Sequence, residues 1–411
     1  MKILALLAAM SLASGVALAE PPAPRVHSLS MAAKQPQADD PATVWYDDFD
    51  GAPKAYGESS GDLDDKVAFG NTGKSMQCVY EKGAQGKGNR KVFFGDSPTG
   101  RPVRKGEVFT DVYWRIYVLH PHGWTGGGPD KMSRATSLVS GKWNQAMIAH
   151  VWGGEGLTLD PASGVRGDRV VTTQYNDFAN LHWLGNRPPA PFPMYSPEEM
   201  GRWVCVEARA KLNTPGKADG LNQLWIDGVF QTERKNLDWR GSYAGHGINA
   251  VFLEAYWNKG SPVTQSRWYD NFVISTKPIG PVAATPNPTL FRTPDAGPAA
   301  MKAWQVELAL DVEGKNVIFR SQESLDVHQL KVSKETGEFL GNLAGAAALA
   351  AGKTYWCRAR QQEPSGAWSP WSPWHQPFTV GSAPRTVRDT QPAAGSIGHA
   401  AGMVRGADPT R

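Results

Sequence analysis

The sequence predicts an all-β protein built as two sandwiches, and three observations lead there. Strand-length runs recur along the chain, separated by clusters of Gly, Pro, Asn and Asp. Residues that make turns and fill sheets are abundant, with 44 Gly, 31 Pro and 16 Trp among 411 residues. No long stretch carries the period of an amphipathic helix. A hydrophobic share of 41% against 20% charged residues supports buried cores and does not fit a disordered chain. A net charge of +4 without a Lys/Arg stripe argues against a nucleic-acid partner. Three cysteines are too few for a disulfide framework and lack metal-site spacing.

Residues 1–19 read as an export signal. Lys2 provides the charged start, residues 3–12 are apolar, and Ala17-Leu18-Ala19 forms a cleavage site before Glu20. That apolar run is too short to span a bilayer, and no later run is longer. A secreted or periplasmic protein with no membrane span is therefore expected. Residues 20–43, rich in Pro, Ala and Gln, read as a flexible lead. The large body occupies 44–281, with strands expected over 75–80, 108–119, 145–152, 170–175, 203–212, 222–226, 250–257 and 268–275. Residues 282–298 are proline-rich and read as a semi-rigid linker, because proline fixes φ and removes backbone donors. A second body follows over 299–380. The Gly/Ala/Arg-rich residues 381–411 lack an apolar period and read as a disordered tail.

Alternation assigns faces. In 111–119, Tyr113, Arg115 and Tyr117 point one way, and Val112, Trp114, Ile116 and Val118 the other. In 250–258, Phe252, Glu254 and Tyr256 oppose Val251, Leu253 and Trp257. Such polar-aromatic faces suit a sugar groove, since flat rings stack on sugar C–H faces and planar charged groups grip hydroxyls or carboxylates. An ordinary solvated sheet face has the same pattern.

The stretch GRWVCVEARAKLNTPGKADGLNQLWIDG (201–228) resembles the strand–loop–strand unit of concanavalin A-like jelly-roll domains. VWYDDFDG (44–51) resembles their first strand and RWYDNFVISTKPIGP (267–281) their closing one. Asp227-Gly228 also has a local reason to exist, as a favoured hairpin turn. The resemblance reaches polysaccharide lyases and related LamG-type and glucanase-type sandwiches. The E-x-D-x-x-E strand of the retaining glucanases is missing from this sequence, which disfavours a two-carboxylate hydrolase. β-Elimination on a uronic acid needs other groups: a base for the C5 proton, an acid for the leaving oxygen, and a cation or amide against the carboxylate.

On the lyase reading, His150, Tyr175 and Tyr256 move protons. Arg115, Tyr113, Tyr117, Lys131, Arg134, Gln145 and Glu254 bind substrate. Each has a plainer alternative: a hydrogen-bonded core histidine, a surface salt bridge for Arg115, ordinary sheet tyrosines. The loop GWTGGGPDK (123–131) reads as a groove lid and lacks the ending of a nucleotide-binding loop. The family resemblance further implies a structural calcium at Asp270, with a backbone-satisfying Asp as the alternative. His120 and His122 have no apparent third ligand for zinc. In an oxidising compartment Cys78 and Cys205 either form a disulfide, the expectation adopted, or stay as two buried thiols. Two functions thus stand: a lyase acting on an anionic polysaccharide, or a non-catalytic carbohydrate-binding or adhesion protein.

The second body resembles a fibronectin type III domain. Trp304 in AWQVEL is like its opening strand, LAAGKTYWCRARQQ (349–362) like the strand with a buried tyrosine, and GAWSPWSPWHQPFTV (366–380) like its final strand. Trp368, Trp371 and Trp374 with Arg358 and Arg360 suggest a stacked Arg–Trp ladder, with a sugar platform as the alternative. Cys357 is expected as a lone buried thiol.

Overall fold

The computed structural model describes residues 26–29, 40–71, 73–126, 130–185, 188–197, 199–292, 301–327 and 329–381. The expected export signal, the tail beyond 381 and part of the glycine-rich loop lie outside the described residues. No helix among the described residues is long and apolar enough to cross a membrane.

Two antiparallel sheets face each other in the large body. The seven-stranded sheet runs His182–Trp183, Thr158–Ser163, Gln145–Trp152, Asp130–Leu138, Ala250–Trp257, Asn89–Phe93, Glu58–Ser60. The eight-stranded sheet runs Val229–Leu237, Gly220–Ile226, Trp203–Lys211, Asp111–Leu119, Gln265–Ser275, Ser75–Tyr80, Asp62–Asp64, with Thr43–Asp47 also paired to Gln265–Ser275. Period-two alternation explains the layering. Val112, Trp114, Ile116 and Val118 point inward and meet Met147, Ala149, Val151, Val251 and Leu253 in one buried core. Each such side chain contributes roughly 1.5–3 kcal/mol by leaving water. Trp114 is almost fully buried, and its indole N–H donates to Ser133 Oγ at 2.9 Å across the interior.

Three strands escape the alternation rule in the sequence: Asp130–Leu138, Thr158–Ser163 and Val229–Leu237. Asp130–Leu138 reads DKMSRATSL, polar in most positions, yet every residue in it is buried. Its polar groups find partners across the sheets, which a local reading does not reveal. The expected strand 170–175 is extended only at Arg169–Val170. The chain then turns through Tyr175 and Asn176 over the outer face of the seven-stranded sheet.

The expected sugar-binding face of Tyr113, Arg115 and Tyr117 is corrected. It is the outer face of the eight-stranded sheet, opposite the seven-stranded one, and it seats the chain leaving the large body. Arg115 is fully buried and donates to the carbonyls of Gly280 at 2.9 Å and Asn271 at 3.4 Å. The Tyr117 hydroxyl accepts from the Val282 amide at 2.7 Å, and Glu207 accepts from the Ile279 and Gly280 amides. Tyr113 packs under the Arg209 guanidinium, 4.9 Å from it.

The expected disulfide is corrected as well. Cys78 points into the core between the sheets, whereas Cys205 points outward beside Phe69, Tyr117 and Trp203. The thickness of one sheet separates their directions. Burial pushes the Cys78 thiol up to about 12 and raises that of Cys205.

The second body has its own core and two sheets. Five strands run Gly337–Phe339, Val317–Ser321, Ala303–Ala309, Thr354–Gln362, His375–Thr379, and three run Val26–Leu29, Thr289–Arg292, Gln329–Lys331. Leu290, Trp304, Val306, Leu308, Phe319, Tyr355 and Ala359 fill the space between them. Two expectations change here. The lead 20–43 supplies strand Val26–Leu29, and the expected linker supplies Thr289–Arg292, which pairs with it. The strand of Trp304 is the centre of the five-stranded sheet. Tyr355 is fully buried, with its hydroxyl donating to the Ala350 carbonyl and accepting its amide. The ladder is present: Arg358 lies 4.6 Å from Trp374 and 4.8 Å from Trp371, and Arg360 lies 4.7 Å from both Trp371 and Trp368. Glu307 and Gln305 hold the two guanidinium groups from the neighbouring strand.

All three cysteines are buried thiols outside any disulfide, Cys357 included. Unfolding in denaturant without reductant is therefore expected to expose three titratable thiols per chain, and reductant to leave the melting temperature unchanged. A count of one, with a reductant-sensitive melt, would contradict the fold as described.

Candidate active site on the seven-stranded sheet

Strand register assembles one unbroken row across the outer face of the seven-stranded sheet. Glu58 pairs with Lys91, Lys91 with Phe252, Phe252 with Arg134, Arg134 with His150 and His150 with Asp160. A cation or an aromatic ring therefore stands at each central position.

Arg134 is the hub of that row. It is fully buried, and it pairs with Glu254 Oε1 at 2.7 Å. It also donates to Asn176 Oδ1 at 3.0 Å and to the Tyr175 hydroxyl, and sits 3.4 Å from His150 Nε2. Its guanidinium lies 4.8 Å from the Tyr175 ring and 5.3 Å from that of Phe252. Gln145, fully buried, accepts the Asn176 amide at 2.9 Å and so fixes the turn above Arg134. Asn176 has φ +53, a left-handed conformation that asparagine tolerates.

A second row holds Lys131, and a bulge puts it there. Ser133 and Ala135 point into the core, so strict alternation would send Lys131 inward too. Register shifts between Lys131 and Ser133, and between Leu253 and Tyr256, break the alternation. Met132 fills the core instead, and Lys131 emerges on the outer face. The opposite sheet pins this bulge. Tyr269 Oη lies within hydrogen-bond distance of the Met132 and Glu254 carbonyls, and Arg267 donates to the Lys131 carbonyl at 3.2 Å. Arg267 is itself held by a two-pronged pair with Asp130 at 2.8 and 2.9 Å.

The Lys131 ammonium lies 4.6 Å from the Tyr256 ring and 5.6 Å from that of Trp152, and the residue is 6% exposed. It makes no ion pair among the described residues. Burial pushes its pKa down to about 8; Glu254 offsets part of this, while Arg134 and Lys91 add to it. Lys91 sits in a cage of rings, 5.0 Å from Trp143, 5.3 Å from Phe252 and 5.6 Å from Tyr175. Its ionic partner is Glu58 at 2.8 Å, whose side chain is 47% exposed on a three-residue edge strand.

A cleft of about 580 Å³ opens over these groups, lined by Lys91, Lys131, Tyr175, Asn176, Glu254 and Tyr256 among others. Glu254 Oε2 is buried there and has no partner among the described residues. Five of the sequence-predicted residues thus come together around the cleft or directly beneath it: Lys131, Arg134, Tyr175, Glu254 and Tyr256. His150 and Gln145 lie under the turn and do not line the cleft. Arg115, Tyr113 and Tyr117 belong to the other sheet. Lys91, Asn176 and Glu58 were not anticipated. Asn176 follows Tyr175 in a Y-N-D turn, a local signal for a left-handed residue; Lys91 carried none, because its cage is assembled from three distant segments.

The Asp270 carboxylate accepts from the Asn271 amide at 2.6 Å, the Asn271 side chain at 3.2 Å and the Phe69 amide at 2.9 Å. Donors of this kind complement a carboxylate and repel a cation. No three His, Cys, Asp or Glu gather for a metal among the described residues. Asp270 thus satisfies backbone groups and ties the Phe69–Asn71 turn to the closing strand.

No family model matches the chain, and no curated protein matches it. Among solved structures it is similar to an endo-β-1,4-glucuronan lyase from the fungus Trichoderma reesei, at 14% identity over 57% of this chain and 96% of that one, TM-score 0.39. It is similar to an alginate lyase from a Chlorella virus at 15% identity, over 49% of this chain and 84% of that one, TM-score 0.36. A marine alginate lyase from Aplysia kurodai aligns at 14% identity, over 57% of this chain and 99% of that one, TM-score 0.37.

Removing Arg134 leaves Glu254 buried without its counter-charge. Arg134→Ala is expected to cost about 3–5 kcal/mol of stability, read by urea denaturation. A loss under about 1 kcal/mol, the range of a surface pair, would contradict the hub role.

Proposed function

We propose that this chain is a polysaccharide lyase that cleaves a uronate-containing glycan by β-elimination. The observation that carries this reading is Lys131: a buried amine held near 8, without an ion pair, in a cleft shared with two tyrosines, a second lysine and an amide. A general base works best when its pKa lies near the operating pH.

In this reading the neutral Lys131 Nζ takes the C5 proton of the uronate. The C5–H electron pair forms the C4–C5 double bond, and the C4–O bond breaks. Tyr256, whose ring adjoins the Lys131 ammonium, gives its hydroxyl proton to the leaving oxygen. The proton on Lys131 then returns to the tyrosinate, which restores both groups. Negative charge grows on the uronate carboxylate during proton removal. Lys91 and the Asn176 amide stand in the cleft to meet it. Asn176 Oδ1 accepts from Arg134, which leaves Nδ2 as the donor toward substrate. The half-exposed Glu58 is a partner that a substrate carboxylate can replace on Lys91.

The test is the ultraviolet absorbance of an unsaturated uronide released from a panel of polyuronates. Lys131→Met and Tyr256→Phe are each expected to lower kcat by roughly 10²–10⁴. In the parent protein kcat/KM should rise roughly tenfold per pH unit below a midpoint near 8, because only the neutral amine accepts the proton. Product from Lys131→Met at the parent rate, or no product from any polyuronate, would contradict the reading.

The same shift has a stability consequence. The folded amine loses its proton at about 8 and the unfolded one near 10.5, so the folded state is penalised below pH 8 and the penalty fades as pH rises between the two. Lys131→Met is therefore expected to raise the melting temperature at pH 7 while lowering kcat. A lowered melting temperature would contradict a desolvated ammonium.

A further inference from the structure

Large apolar side chains exposed among the described residues include only two aromatic rings, Phe178 at 58% and Trp183 at 41%. The other six are aliphatic and scattered: Leu63, Val108, Val229, Val263, Val312 and Leu325. One ring lines the candidate cleft and the other stands at the edge of the same sheet face. Phe178 lines the same cleft as Lys91 and Lys131. Trp183 occupies the terminal strand of the same sheet, three strands across from that of Lys131, roughly 14 Å at ordinary strand spacing, and in register with Thr136 further along it. Its ring stacks on that of His150, with 6.1 Å between centroids and 29° between planes, and the His150 ring in turn lies 5.2 Å from that of Trp152. The indole is thus braced from behind by groups that the Arg134 hub holds in place.

An exposed, braced ring is costly to leave in water and has little side-chain freedom to lose on binding. Pyranose rings present C–H faces that cover such surfaces. The cleft that Phe178 lines has a cationic floor, with Lys91 and Lys131, which selects an anionic chain. We propose that Phe178, in the cleft, and Trp183, toward the edge of the same sheet face, are stacking platforms for sugar rings, so that the site takes a stretch of polyuronate chain several sugars long. The substrate class in this inference rests on the lyase reading; the platforms themselves rest on exposure and position.

The experiment is affinity electrophoresis of the full chain through gels containing sodium alginate, sodium polyglucuronate or sodium polygalacturonate. It is run in a Lys131→Met background so that no polymer is cut. The parent is expected to be retarded by at least one polymer. Phe178→Ala and Trp183→Ala should each weaken retardation about fivefold, and the double variant should run as it does in a polymer-free gel. With Lys131 present, both substitutions should raise KM for polymer more than they lower kcat. Full retardation of the double variant, or a parent retarded by none of the three polymers, overturns the proposal. Failure of the lyase reading looks different: retardation by a polymer persists while the wild-type protein releases no ultraviolet-absorbing product. Melting curves matching the parent's confirm that the variants fold.

Discussion

An ammonium group buried between two aromatic rings, with no carboxylate paired to it among the described residues, is the constraint on which the site depends. Water would stabilise the charged form of Lys131 far better than the faces of Tyr256 and Trp152 do. The fold nonetheless keeps it there, because the bulge that turns Lys131 outward is anchored from behind. Arg267 and Tyr269 reach through from the opposite sheet to the carbonyls of the bulged segment. Asp130, the residue before Lys131, is locked in a buried pair with Arg267. That pair holds the backbone that carries the lysine.

The same sheet face shows how a β-sandwich handles several buried charges at once. Arg134 is neutralised by Glu254 and shared with a phenol and an amide, so it acts as scaffold. Lys91 is caged by rings and paired with an exchangeable surface carboxylate. Lys131 has rings beside it but no carboxylate paired to it among the described residues, and its proton is correspondingly loose. Cations of the same sign thus differ in chemistry because their surroundings differ. The opposite sheet uses the same residue types for a structural end. Arg115 and Tyr117, spaced like groove residues, clasp the backbone of the segment that leads to the second body.

Much of the architecture was legible in the sequence. Alternation in 111–119 and 250–257 assigned inward and outward faces correctly, and turn residues marked the strand ends. The Arg–Trp ladder of the second body was also readable, since its members lie at fixed spacing on two adjacent strands. Alternation does not say which sheet a polar face belongs to, or what covers it. That is why Arg115 was grouped with His150, although the two lie on opposite sides of the sandwich. The Lys131 bulge was unreadable for a related reason: its cause lies in Arg267 and Tyr269, more than a hundred residues away in sequence. Asn176 and Lys91 belong to the site only because the chain folds a turn over one sheet face and an edge strand beside it. Strands Val26–Leu29 and Thr289–Arg292 were hidden by prolines and alanines in segments that gain order by pairing with each other.

The burial of Lys131 is tested most directly by nuclear magnetic resonance on protein carrying ¹³C at the lysine side chains, with the Lys131 signal assigned by its loss in a Lys131→Arg variant. Its titration midpoint is expected near 8. A midpoint at the ordinary lysine value of about 10.4 would contradict a desolvated base at this position, and with it the chemistry derived for the cleft.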